Sequence, residues 1–110
     1  MKRAFTAATL AIALASSPAI AACYEVQGCT NSAYFSEQFL MREGQCDVLW
    51  QIRNQIYKEN GYCFRTPRAI AEFGNADCRY DDVNAVPLNQ YERANVATIA
   101  RVEQLKGCPR

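Results

Sequence analysis

In the run Leu49-Trp50-Gln51-Ile52-Arg53-Asn54-Gln55-Ile56-Tyr57-Lys58-Glu59-Asn60-Gly61-Tyr62-Cys63-Phe64, apolar side chains recur at three- and four-residue spacing until an Asn-Gly pair interrupts them. Leu49, Ile52, Arg53 and Ile56 share one helical face, and Trp50, Asn54 and Tyr57 form a neighbouring stripe. Asp47 offers an N-cap in front of the run. Asn60 and Gly61, which tolerate the left-handed conformation, stop it. The pattern predicts a helix over Asp47 to Asn60.

Working outward, three more helices are marked by their punctuation. Ser32 to Glu43 carries Phe35, Phe39 and Leu40, with Gly44 standing where a C′ glycine would relieve the last turn. Thr66 as N-cap with Pro67 at N1 opens a short helix whose Ile70 and Phe73 are expected to face inward and which stops at Gly74. Asn89-Gln90-Tyr91-Glu92 has the form of a capping box, preceded by Pro87 and Leu88. The helix it opens carries Val96, Ile99 and Val102 and ends before Gly107. Asn75 to Val86, rich in Asp and Asn, reads as a loop, and Tyr62 to Arg65 as a short extended piece. The fold class is mainly α: a small disulfide-stapled domain of about four helices.

The chain has 110 residues, 6 cysteines and no histidine, with 12 Lys and Arg against 11 Asp and Glu. Without histidine the commonest general base and the commonest zinc and haem ligand are missing, so His-based triads and haem attachment through Cys-x-x-Cys-His are excluded. Near-neutral charge gives no basic field for nucleic acid. Lys2 and Arg3, the apolar run Ala4 to Leu14, Pro18 and the small residues Ala19 to Ala21 make residues 1–21 a secretory signal peptide cleaved after Ala21. The apolar run is shorter than the ~20 residues a membrane span needs. Ile20-Ala21-Ala22-Cys23 also resembles a lipobox, but acylating Cys23 would strand an odd thiol, so a lipid anchor at Cys23 is disfavoured. Residues 22–110 then form a single domain in a periplasmic or extracellular setting.

Six cysteines, Cys23, Cys29, Cys46, Cys63, Cys78 and Cys108, allow fifteen connectivities. Helix geometry prunes them. Cys46 and Cys63 sit at opposite ends of a rod, about 20 Å apart, too far for a bridge. If the last helix runs antiparallel to the Asp47–Asn60 helix, Cys108 returns near Cys46. The favoured set is Cys46 with Cys108, Cys63 with Cys78, and Cys23 with Cys29. No Cys-x-x-Cys is present, which argues against zinc and against thiol oxidoreductase chemistry.

The quoted run resembles the signature of the YARHG domain, a small module of exported bacterial proteins. In that family an Arg-Asn pair is followed by Ile-Tyr, by the five residues of the name and by a phenylalanine three positions past the glycine. Arg53, Asn54, Ile56, Tyr57, Gly61 and Phe64 match, and Pro87-Leu88 through Glu92, Asn95 and Ile99 resembles the closing helix, so the likeness spans about residues 46–105. Lys58, Glu59 and Asn60 replace the Ala, Arg and His of the name, which favours a structural motif over a catalytic one. The resemblance implies action outside the cytoplasm, at the cell envelope, and no enzymatic mechanism.

Leu88, Glu92, Asn95, Ile99 and Val102 fall on one face, so Glu92 and Asn95 are expected to be buried and to need partners. The expectation is an Arg53–Glu92 pair, with Asn54 or Asn95 bonding backbone near Phe64. A polar ligand pocket is the functional reading of the same residues. Asp77, Asp81, Asp82 and Asn84 lack the spacing of a calcium loop and read as turn formers. Glu59 and Asp77 are carboxylates that nothing in sequence places across a cleft. Trp50, Tyr57, Tyr62, Tyr80 and Tyr91 read as half-buried core before they read as a sugar-stacking surface. No catalytic residue, metal ligand or cofactor is assigned. The functional expectation is a non-enzymatic secreted or periplasmic envelope module that binds a protein or cell-wall component through a tyrosine-rich surface. The alternatives are a secreted inhibitor or effector of another enzyme and, last, a peptidoglycan hydrolase.

Overall fold

The computed structural model describes residues 22–109; the signal peptide expected over residues 1–21 lies outside them. A two-residue antiparallel ribbon, β1 (Cys23–Tyr24) with β2 (Gly28–Cys29), precedes four helices: α1 (Glu37–Glu43), α2 (Cys46–Glu59), α3 (Pro67–Phe73) and α4 (Gln90–Lys106). A 3₁₀ turn at Val83–Ala85 interrupts the loop before α4. The class is the mainly α, disulfide-stapled domain expected from the sequence. α4 is the central rod, with α2 and α1 packed against it and α3 against α2.

Caps account for the ends of the helices. Thr66 Oγ1 accepts from the Ala69 N–H with Pro67 at N1, and Asn89 and Glu92 close a reciprocal capping box at α4. Two boundaries differ from the expectation. α1 begins at Glu37, capped by Ser36, rather than at Ser32. The residues before it are drawn out of the helix because Asn95 accepts from the Phe35 N–H and Gln27 accepts from the Ser36 N–H, each at 2.8 Å. α2 starts one residue earlier than expected, with Gln45 in the cap position and no side-chain bond there; Asp47 instead lies in the first turn, where its charge favours the helix N-terminus. Gly44 is extended (φ −81°) and not left-handed. It is required for space, because a Cβ there would lie 2.6 Å from the Leu40 carbonyl oxygen and 2.9 Å from Leu49.

Phe35, Leu40, Leu49, Ile52, Ile56, Val86, Leu88, Ile99 and Val102 form the apolar core. Leu49, Ile56, Ile99 and Val102 are fully buried, each contributing roughly 1.5–3 kcal/mol by leaving water. Ile70, expected inside, is largely exposed: α3 has only two turns and turns Ala69 inward instead. An aromatic chain flanks the core, running Trp50–Phe73–Phe64–Tyr62–Tyr57 with ring centroids 5.1–5.8 Å apart. The sulfur bridges are Cys23–Cys29, Cys46–Cys108 and Cys63–Cys78. The second joins the start of α2 to the segment just after α4 and makes those helices antiparallel neighbours.

Candidate functional site

A groove of about 700 Å³ opens between α2, the start of α3 and the C-terminal half of α4. Arg53 and Glu103 lie within it. The Arg53 guanidinium donates to both carboxylate oxygens of Glu103, from Nε at 2.6 Å and from Nη2 at 3.2 Å. The Glu103 side chain is 10% exposed and that of Arg53 26%. The bidentate geometry fixes both groups and ties the helices together. Trp50 forms one wall, with the Arg68 guanidinium 3.7 Å from its ring centroid on another side. Arg65 and Arg101 stand at the rim, the first donating to the Asp81 carbonyl and the second to Glu37.

The partner of Arg53 is therefore Glu103 and not Glu92. The Cys46–Cys108 bridge explains why. Arg53 lies seven residues into α2 from Cys46, and Glu103 lies five residues back from Cys108, so the antiparallel register sets them opposite. Glu92 is sixteen residues back and meets Asn60, fourteen in: Asn60 Nδ2 donates to Glu92 Oε2 at 2.9 Å. The other oxygen of Glu92 accepts from the Asn89 N–H in the capping box.

The two asparagines also differ from expectation. Neither Asn54 nor Asn95 bonds the Phe64 backbone. Asn54, buried, donates to the Trp50 carbonyl one turn back. Asn95 is 1% exposed and uses its whole amide: Oδ1 accepts from the Phe35 N–H, and Nδ2 donates to the Thr30 and Ala33 carbonyls. It thereby pins the segment between the ribbon and α1 onto α4. The Phe64 backbone is clasped by Asn75, whose Oδ1 accepts from the Phe64 N–H at 2.7 Å and whose Nδ2 donates to its carbonyl at 3.0 Å. By sequence Asn75 reads only as the start of a loop. The Cys63–Cys78 bridge is the signal that points to it, since it brings Phe64, next to Cys63, near the segment a few residues before Cys78. Glu103 continues the buried face of α4 one turn beyond Ile99, a spacing that sequence alone displays.

Gly61 adopts φ +91°, and its carbonyl accepts from the Arg79 and Tyr80 N–H groups, while Cys63 N–H donates to the Tyr80 carbonyl. This links the expected extended piece to the loop through a Tyr62–Tyr80 bridge. Tyr57, Tyr62 and Tyr80 pack on the core, and Tyr91 lies against Tyr34. The tyrosines are thus dispersed and form no single exposed surface. Burial raises the Tyr57 hydroxyl pKa, with Arg53 opposing.

A second cavity of about 430 Å³ is lined by both Glu59 and Asp77. Burial pushes the Glu59 carboxyl upward, a bond from Gln55 opposes this, and the charge of Glu92 adds to it. In the acidic loop Asp82 Oδ1 accepts from the Asn84 N–H, a turn-forming role. Among the described residues no group of three or more His, Cys, Asp or Glu side chains is placed to hold a metal ion.

Fold and groove together define a small disulfide-bonded helical module. It belongs to the YARHG domain family, whose model matches residues 23–104. That match reaches back through the ribbon, well before residue 46, where the expected likeness begins. No curated protein and no solved structure matches the chain. No helix among the described residues is long and apolar enough to cross a membrane.

Proposed function

We propose that this chain is an exported, non-enzymatic module of the cell envelope that binds a carboxylate-bearing protein segment or cell-wall peptide in the groove between α2 and α4. The observation that carries this reading is the charge of the groove. Arg53, Arg65 and Arg101 line it beside the Trp50 indole, and with Arg53 paired to Glu103 and Arg101 to Glu37, Arg65 is the lining cation that bonds only a carbonyl among the described residues. Glu103 is committed to Arg53 by two hydrogen bonds and is poorly placed to act as an acid or base. Three disulfides suit an oxidising compartment outside the cytoplasm, and the family match agrees with a small module of that kind.

The test is co-sedimentation of the mature protein with purified peptidoglycan, alongside capture from envelope extracts, comparing wild type with Arg65→Glu. Arg65 is exposed and bonds only a loop carbonyl, so the variant keeps its melting temperature. Retention by wild type and loss in the variant are expected. Equal retention by both would remove the groove from consideration. Release of soluble muropeptides would favour the hydrolase reading instead, and selective capture of a foreign enzyme the inhibitor reading.

A further inference from the structure

Glu59 closes α2 in an unfavourable setting. A carboxylate at a helix C-terminus meets the negative end of the helix dipole. Glu92 from α4 and the Tyr24 ring from the ribbon face it, and neither supplies positive charge. Its Oε2 accepts from Gln55 at 3.0 Å, but Oε1 is buried without a hydrogen bond of good geometry. Among the described residues the ion pairs are Arg42–Glu43, Arg53–Glu103, Arg68–Asp47 and Arg101–Glu37, so no cation serves this carboxylate. The group that does approach is the backbone nitrogen of Ala22, near enough to influence Glu59. Ala22 is held there: its carbonyl accepts from the Thr30 N–H at 3.0 Å, Cys23 beside it is bridged to Cys29, and the Thr30 carbonyl is anchored by Asn95.

The Ala21–Ala22 bond is also where the leader is read to end. Resting on the export reading above, we propose that hydrolysis of this bond creates an α-ammonium at Ala22 that pairs with the Glu59 carboxylate and locks the N-terminal ribbon onto the end of α2. In the cleavage, catalysed by a leader peptidase, the C–N bond breaks. Water adds its hydroxyl to the Ala21 carbonyl carbon and a proton to the Ala22 nitrogen. At neutral pH the products are the Ala21 carboxylate and the Ala22 ammonium. An amide with one N–H becomes a cation with three, enough to bond Oε1 while meeting the helix dipole with the favourable sign. The precursor lacks this charge, so its ribbon is held less firmly than that of the processed chain.

The sign of the pH effect follows. An ammonium stabilised by Glu59 has its folded pKa raised above the ordinary range of about 7.7–8.0. Its contribution is full below that range and is lost as pH rises through the folded value.

The experiment uses the chain purified after export. Its mass and N-terminal sequence are determined first. Nuclear magnetic resonance titration of the Ala22 amine and thermal unfolding follow, for free and Nα-acetylated chains, each with Glu59 intact and as Glu59→Gln. A chain beginning at Ala22 is expected, with an amine pKa raised by about one unit, a tenfold change in its proton affinity. Acetylation should lower Tm by about 4–8 °C in the Glu59 chain and by little in the Glu59→Gln chain. The pairing is overturned, with export left standing, if processed chains start at a lipidated Cys23. It is equally overturned if acetylation acts alike with and without the Glu59 carboxylate. Recovery of the chain still carrying Met1, retained inside the cell, would instead sink the export reading and the inference with it.

Discussion

Replacing Arg53 with alanine removes one half of the ion pair that ties α2 to α4 and leaves the largely buried Glu103 carboxylate without its partner. The cost can be bracketed from exposure. A solvent-exposed pair is worth about 0–1 kcal/mol, and breaking a fully buried one costs about 3–5 kcal/mol. With Glu103 10% exposed and Arg53 26% exposed, the expected loss lies between these, at about 2 kcal/mol. For a domain of this size that lowers Tm by about 8–16 °C. Urea unfolding of Arg53→Ala, Glu103→Leu and the double variant measures it. Most of the loss comes from stranding the carboxylate, so Arg53→Met combined with Glu103→Leu should recover stability that Arg53→Ala alone forfeits. If the effects of the single substitutions simply add in the double variant, or if Arg53→Ala shifts stability by under about 0.5 kcal/mol, the clamp described between these helices does not operate.

Three further outcomes follow from the same geometry. Asn95→Ala strands the Phe35 N–H and the Thr30 and Ala33 carbonyls. It should cost about 3 kcal/mol, and hydrogen exchange should show residues 30–36 losing protection before the helices do. Replacing both Cys46 and Cys108 with serine opens a loop of 62 residues; the loop-entropy relation gives about 4 kcal/mol, readable as a lowered urea midpoint, while simultaneous loss of the Cys23–Cys29 bridge, with a separation of 6, should add about half as much. For a chain extended before Ala22, burial holds the Glu59 carboxyl above its ordinary value. Its contribution to stability is then full below the unfolded carboxylate range near pH 4 and declines as pH rises through the raised folded value. Glu59→Gln should flatten that decline between acid and neutral pH in a series of thermal melts.

Where a residue and its partner lie within one turn, the sequence displays the structure openly. Thr66 with Pro67 and Asn89 with Glu92 are caps whose chemistry is complete in four residues, and the helices they open stand where the spacing puts them. Boundaries set from afar are hidden. Asn95 extracts the segment before α1 from across 60 residues, and no local pattern around Ser32 or Phe35 records this. The buried face of α4 was legible as a face, but it carries two acidic residues three turns apart, and helical periodicity does not say which one meets Arg53. The register does, and it is set by the Cys46–Cys108 bridge. The role of Asn75 is hidden because an asparagine after a helix-ending glycine also suits a turn, and its partner Phe64 lies eleven residues back across the Cys63–Cys78 loop.

The bridges are nested: Cys63–Cys78 lies wholly inside the span closed by Cys46–Cys108. A protease that nicks the exposed stretch between Asp81 and Ala85 would release nothing, because that stretch lies inside the outer span and Cys46–Cys108 still joins the two fragments. Such a chain can be cut once and stay in one piece, and the wound would become visible on a gel only after a reductant is added.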